Sequence, residues 1–175
     1  MVTEPEKTIE VLQTAIQMEI DGQEYYLKVS RESTNELGRK LLERLAAEED
    51  VHRQKFIEIY NHIRQKKAWP AVDFQPNAGQ KLRTIFARAT EERGAEGKAP
   101  TTELEAIKTA LDMENRSYDF YLSQSHSTSS ATARDFLQTL AAEEREHHMI
   151  LLDYYQYLLD PAAWFVKKEH PSLDG

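Results

Sequence analysis

A stretch of about fifty residues occurs twice in this chain, and that duplication limits the possible folds more than any other feature. Sliding residues 9–60 along residues 104–155 without a gap, an offset of 95 positions, leaves about a third of the pairs identical, several times what chance allows. Glu10 meets Glu105, Thr14 meets Thr109, Ala15 meets Ala110, Tyr26 meets Tyr121 and Leu27 meets Leu122. The densest match sets Leu45-Ala46-Ala47-Glu48-Glu49-Asp50-Val51-His52 against Leu140-Ala141-Ala142-Glu143-Glu144-Arg145-Glu146-His147. A unit this long, present only twice, is not a solenoid. It reads as a helical hairpin that must pair with its copy to bury an apolar face, so residues 1–175 are expected to form one domain.

Periodicity supports four long helices. The first runs from about Glu6 to Arg31, with Ile9, Leu12, Ile16, Ile20 and Leu27 as its apolar stripe and Gly22 as its weak point. The second follows the polar Glu32-Ser33-Thr34-Asn35, where any of the last three can act as cap, and reaches about Lys67 with Leu41, Leu45, Ile59 and Ile63 inward. The third opens at Thr101 or Thr102, where Thr102-x-x-Glu105 matches a capping box, and runs to about Gln124. A Ser/Thr turn, Ser125 to Ser130, leads to the fourth, from about Ala131 to Leu159, stopped by Asp160-Pro161. The tail 161–175 is given one more turn through Trp164 and Phe165, which pack on the bundle or on a partner subunit.

Connection lengths decide the topology. The first and last links hold only a few residues, so each pair of helices is an antiparallel hairpin. The middle link, 68–100, is far longer and rich in Pro and Gly, with Leu82, Ile85, Phe86 and Ala89 spaced for a short helix. A helix of about 25 residues spans roughly 38 Å, which about a dozen extended residues can cross. The link therefore suits a crossover that leaves the second and third helices parallel. The expected fold is all-α, a ferritin-like four-helix bundle of two duplicated hairpins joined by a long crossover.

Composition removes whole classes of function. The formal net charge is −8, which argues against nucleic acid or an anionic membrane as partner. These 175 residues hold no cysteine, so disulfides, thiolate zinc, iron-sulfur clusters and a thiol nucleophile are excluded within them. Met1 to Lys7 is polar and acidic with no apolar secretory core, and no run approaches a membrane span. A cytoplasmic protein is expected.

Each copy of the dense motif carries a Glu-x-x-His, Glu49 with His52 and Glu144 with His147, whose side chains share one helix face. About thirty residues upstream the same offset carries Met18-Glu19 onto Met113-Glu114. A lone Glu-x-x-His is usually a solvated helix face, but two copies, each with its own upstream glutamate, propose a single site. Four carboxylates buried together would repel and stay desolvated unless cations neutralised them. Two divalent ions close that balance, with His52 and His147 as neutral ligands. Oxygen-rich coordination with one imidazole per ion favours iron or manganese, with zinc as a substitute. Glu48 and Glu143, four residues before each histidine, read equally as supports for an imidazole or as solvated carboxylates. Met18 and Met113 read as core filling, and His148, off the ligand register, as outward facing.

The constellation resembles the rubrerythrin branch of the ferritin-like superfamily, from Thr8 to Leu159. The resemblance implies that Glu19, Glu49, His52, Glu114, Glu144 and His147 ligate two iron ions, with Tyr26 and Tyr121 beside the site as catalytic candidates. It implies reaction with oxygen or hydrogen peroxide, an external electron donor, and a homodimer. Two departures stand out. No four-cysteine rubredoxin domain lies within these residues, and the extra glutamate that rubrerythrins carry three residues after the third-helix ligand is Ser117 here, with Gly22 as its counterpart. The ligand set is thus the plain six of many ferritin-like oxidases. Iron handling without turnover and a metal-stabilised scaffold are the alternative functions.

Overall fold

The computed structural model describes residues 4–66, 68–74 and 100–169. Every regular element among them is a helix: α1 Glu4–Glu32, α2 Glu36–Lys66, α3 Thr101–Ser127, α4 Ala131–Leu159 and α5 Pro161–Glu169. The first four match the expected helices to within a few residues, and none of the helices is long and apolar enough to cross a membrane. The proposed helix around Leu82 to Ala89 lies outside the described residues.

Pairing runs within each hairpin, α1 on α2 and α3 on α4, and the two hairpins meet chiefly through α1 and α3. Tyr26 donates to Glu114 and Tyr121 donates to Glu19. Rising numbers on α1 thus meet falling numbers on α3, so these two helices are antiparallel. Because α2 is antiparallel to α1, it lies parallel to α3, the arrangement the long link was expected to produce. Applying the offset of 95 exchanges these two hydrogen bonds, so the duplication is a pseudo-twofold axis of the bundle.

Two apolar clusters fill the interior. One contains Tyr26, Leu41, Leu45, Ile107, Leu151 and Tyr154; the other contains Leu12, Phe56, Ile59, Tyr121, Phe136 and Leu140. On every long helix, the conserved-offset Glu and His positions fall between the two. Apolar packing closes the bundle above and below that level.

At one end a polar clasp joins three elements. Asn35 caps α2, its Oδ1 accepting the Gly38 amide at 2.7 Å. Ser33 and Thr34 instead donate to the buried Glu103 carboxylate at 2.7 and 2.6 Å, and Tyr154 adds a third donor at 3.3 Å. Glu103 stands in the first turn of α3, where the helix dipole favours an anion. The capping box expected at Thr102 and Glu105 does not form. The helix opens at Thr101, one of the two expected starts, so its cap is Pro100, two residues before Thr102, with no side-chain cap bond, and the first-turn acid that finds donors is Glu103.

Gly38 allows this clasp to close. A Cβ there would collide with the Tyr154 hydroxyl and stand 2.6 Å from Ser33 Oγ. Alanine would gain up to about 1 kcal/mol of helix propensity, but overpacking and displaced hydrogen bonds cost about 1–3 kcal/mol or more. Gly38→Ala is expected to lower stability in a denaturant titration, and Tyr154→Phe in the same chain to return part of the loss. A stabilised Gly38→Ala would show that the clasp has slack.

Other expectations are adjusted by the packing. The third helix continues three residues past Gln124, its final carbonyls engaged by the Thr128 amide on Gln124 O. The single turn expected in the tail is a nine-residue helix opened by Pro161, a residue suited to a first helical position. Trp164 is buried against Tyr157 and Phe165, so it packs on this chain's own bundle.

Candidate metal centre

The innermost face of α1 is Leu12, Ala15, Glu19, Gly22, Tyr26 and Val29, all buried. The aliphatic residues Ile9, Ile16, Ile20 and Leu27 are only half-buried and flank that face. The spacing alternates three and four, as a helix facing a bundle axis requires. Its centre is occupied by a carboxylate and a glycine. On α3 the buried face is Ile107, Ala110, Glu114 and Tyr121, with the half-buried Ser117 where α1 has its glycine.

All six expected ligand residues converge at this level: Glu19, Glu49, His52, Glu114, Glu144 and His147 are each at most 5% exposed. They form two overlapping groups whose ligand atoms lie within 4.8 Å of one another. One is Glu19, Glu49, His52 and Glu144; the other is Glu49, Glu114, Glu144 and His147. Glu49 and Glu144 belong to both. Glu144 turns Oε1 to His52 Nδ1 and Oε2 to His147 Nδ1, each at 3.3 Å.

Both imidazoles aim Nδ1 inward. His52 Nδ1 lies 3.4 Å from Glu19, and His147 Nδ1 lies 3.3 Å from Glu49 and 3.6 Å from Glu114. Yet Glu19 Oε2, Glu49 Oε1, both Glu144 oxygens and the two Nδ1 atoms have no hydrogen-bond partner among the described residues. Leaving a buried polar atom unsatisfied costs about 1–3 kcal/mol, and here such atoms point at one another. A pair of divalent cations would satisfy the whole set at once, so the residues present fit the metal that their chemistry suggests.

Electrostatics lead to the same reading. Burial holds the Glu49 carboxyl well above its usual range, and the charges of Glu144 and Glu19 add to it. Burial pushes Glu114 up to about 8, a shift that the His147 charge reduces and Glu144 augments. Burial alone would lower both histidines, but Glu19 beside His52 and Glu114 beside His147 lift them well above the ordinary imidazole value. Glu144 moves the other way: burial would raise it, and the two imidazoles hold it well below the carboxylate range. Protons therefore neutralise the cluster when cations do not.

Outside this set, the even choice for Glu48 and Glu143 resolves toward burial, at 6% and 7% exposed. Each faces the histidine of the other half: Glu48 Oε2 lies 3.2 Å from His147 Nε2, and Glu143 Oε2 lies 3.9 Å from His52 Nε2. Burial would raise Glu48, but His147 and Arg44 together bring it below the usual carboxylate value. Tyr26 and Tyr121 are fully enclosed, and burial together with the adjacent carboxylates keeps their hydroxyls protonated. Both therefore act as donors to a ligand carboxylate.

Two neighbours escaped the sequence reading. Arg44 donates from Nε to Glu48 at 2.8 Å; its place four residues before Glu48 was the available signal. Phe74, from the start of the long link, sets its ring edge-on to His52 at 5.7 Å, a contact no local pattern encodes. Gly22 lies against Glu49: a Cβ there would stand 3.0 Å from Oε2. His148, expected outward, is half-buried and approaches the Leu111 carbonyl at 3.3 Å, because α4 packs on α3 along that flank. His62 is half-buried and His126 exposed, neither joins the centre, and His170 lies outside the described residues.

No curated protein and no solved structure matches the chain. The family model for rubrerythrin matches residues 10–155, a span that starts in α1, ends in α4 and includes all six of the converging residues. On that match, over most of its length, the chain belongs to the rubrerythrin family.

Proposed function

We propose that the protein is a di-iron carboxylate oxidoreductase that reacts with oxygen or hydrogen peroxide, of ferroxidase or peroxidase type. The observation that carries this reading is the sharing of Glu49 and Glu144 between two buried groups, each completed by one glutamate and one histidine. Bound iron would supply the two-electron exchange with the oxidant that carboxylates and phenols cannot perform.

The chain's own residues then have definite roles. Glu49 and Glu144 would serve both metal positions, with Glu19 and His52 completing one and Glu114 and His147 completing the other. Tyr26 and Tyr121 orient Glu114 and Glu19 and hold a proton within reach of the centre. The apolar clusters on either side keep bulk water from the reacting atoms. Manganese or zinc can occupy the same oxygen-rich set. The reading includes a cytoplasmic homodimer, with electrons drawn from Fe(II) itself or from an external donor.

Stopped-flow mixing of the di-ferrous protein with each oxidant tests the proposal. Oxidation much faster than that of free Fe(II) is expected, and a rate no faster would sink it. Ser117 bears on the choice of oxidant. It is half-buried one turn beyond Glu114, so Ser117→Glu would place a carboxylate on the same face. In single-turnover oxidation, this substitution is expected to raise peroxide turnover relative to oxygen turnover while two metals per chain remain. An unchanged ratio would remove Ser117 as a determinant.

A further inference from the structure

The pseudo-twofold that relates the halves breaks down next to the metal ligands. On one side, Glu48 is held between His147 Nε2 at 3.2 Å and Arg44 Nε at 2.8 Å. On the other, Glu143 Oε2 is 3.9 Å from His52 Nε2, longer than a hydrogen bond. The residue four before Glu143 is Thr139, whose hydroxyl donates to the Asp135 carbonyl of its own helix at 2.8 Å. Phe74 meets the His52 ring but offers it no acceptor. One imidazole therefore has an anchored carboxylate behind it and the other does not.

We infer that the two metal positions are unequal and fill in order, with the position of Glu114 and His147 binding first and more tightly than that of Glu19 and His52. The inference rests on the metal-centre reading given under the proposed function. A ligating imidazole that donates its second N–H to a carboxylate is fixed in orientation and made more basic, and losing that partner typically costs about 10- to 100-fold in metal affinity. Arg44 is a positioning residue: it touches no ligand but fixes Glu48 in the direction His147 needs. Its charge also draws on the carboxylate and works against basicity. The Arg44 side chain is 35% exposed, so solvent screens that charge, whereas the geometric restraint remains. Glu48, Glu143 and His147 also lie close enough to suggest a third cation, but the Arg44 charge opposes one there and the hydrogen bond to Nε2 already accounts for the grouping.

Titrating the metal-free full chain with Mn(II), followed by calorimetry and electron paramagnetic resonance, tests the inference. Two ions per chain are expected, with stepwise constants at least about tenfold apart and a mainly mononuclear signal at one equivalent. Arg44→Gln should weaken the first constant by about 10- to 100-fold and leave the thermal midpoint of the metal-free protein nearly unchanged. Arg44→Lys should recover part of that loss, and Thr139→Arg should tighten the second constant. Two equal constants in the wild type, or an Arg44→Gln ratio equal to that of the wild type, would overturn the inference while leaving the metal centre standing. Fewer than two ions per chain would overturn both.

Discussion

Glu144→Ala is expected to abolish tight binding of at least one of the two metal ions and to end any coupling between them. Glu144 offers one oxygen to each half of the site at matching distances from the two imidazoles, so no other residue can replace both contacts. Glu49→Ala should act in the same way, since Glu49 belongs to both groups. Glu48→Gln should have a smaller effect, because an amide oxygen can still accept from His147 Nε2. Metal content after dialysis, measured with a thermal midpoint to confirm folding, separates these cases. Equal loss from Glu48→Gln and Glu49→Ala would mean that Glu48 holds metal as directly as Glu49 does, and that the register assigned to α2 is wrong.

Raising the pH is expected to destabilise the metal-free protein. The Glu114 carboxyl sits at about 8 in the folded chain against an ordinary 4.5, and Glu49 is raised in the same sense. Between those values the native state holds more protons than the unfolded state, so stability falls as pH rises. His52 and His147, lifted above 6.5, contribute stability that is complete below the unfolded value and lost as pH climbs through the folded one. Glu144 is depressed, and its contribution is lost only below the ordinary carboxylate range. From about pH 5 to 8.5 the melting temperature in chelator should drop by several degrees, on the order of 5 °C. Divalent metal should remove the decline by taking the place of the protons, adding about 2.7 kcal/mol at a hundredfold excess over its dissociation constant. A metal-free midpoint that stays flat or rises over that range would contradict the protonation pattern of the cluster.

Much of this could be read from the sequence because duplication repeats its evidence. Glu49-x-x-His52 and Glu144-x-x-His147 gain meaning from each other, and the short and long links are enough to place α2 parallel to α3. Hydropathy placed the inner face of α1 only in part. It selected Leu12, which is on the bundle axis, together with Ile9, Ile16, Ile20 and Leu27, which flank it, and it passed over Ala15, Glu19, Gly22 and Tyr26, which line the axis. A site that holds carboxylates must put polar and small residues at the centre, and the largest aliphatic side chains then move to the flanks. The capping box at Thr102 failed for a related reason, since Glu103 found better donors in Ser33, Thr34 and Tyr154 across the bundle. The support of each histidine by a glutamate of the other half was also hidden. Glu48 sits four residues from His52 in sequence but faces His147, a pairing that only the packing of α2 on α4 creates.

Counting and characterising the metal in the full chain tests the central claim most directly. Anaerobic addition of Fe(II) to metal-free protein, followed by Mössbauer spectroscopy after exposure to oxygen or peroxide, reads both stoichiometry and coupling. The account predicts two iron ions per chain forming one magnetically coupled ferric pair. Binding of no iron, or of isolated ions that never couple, would contradict it.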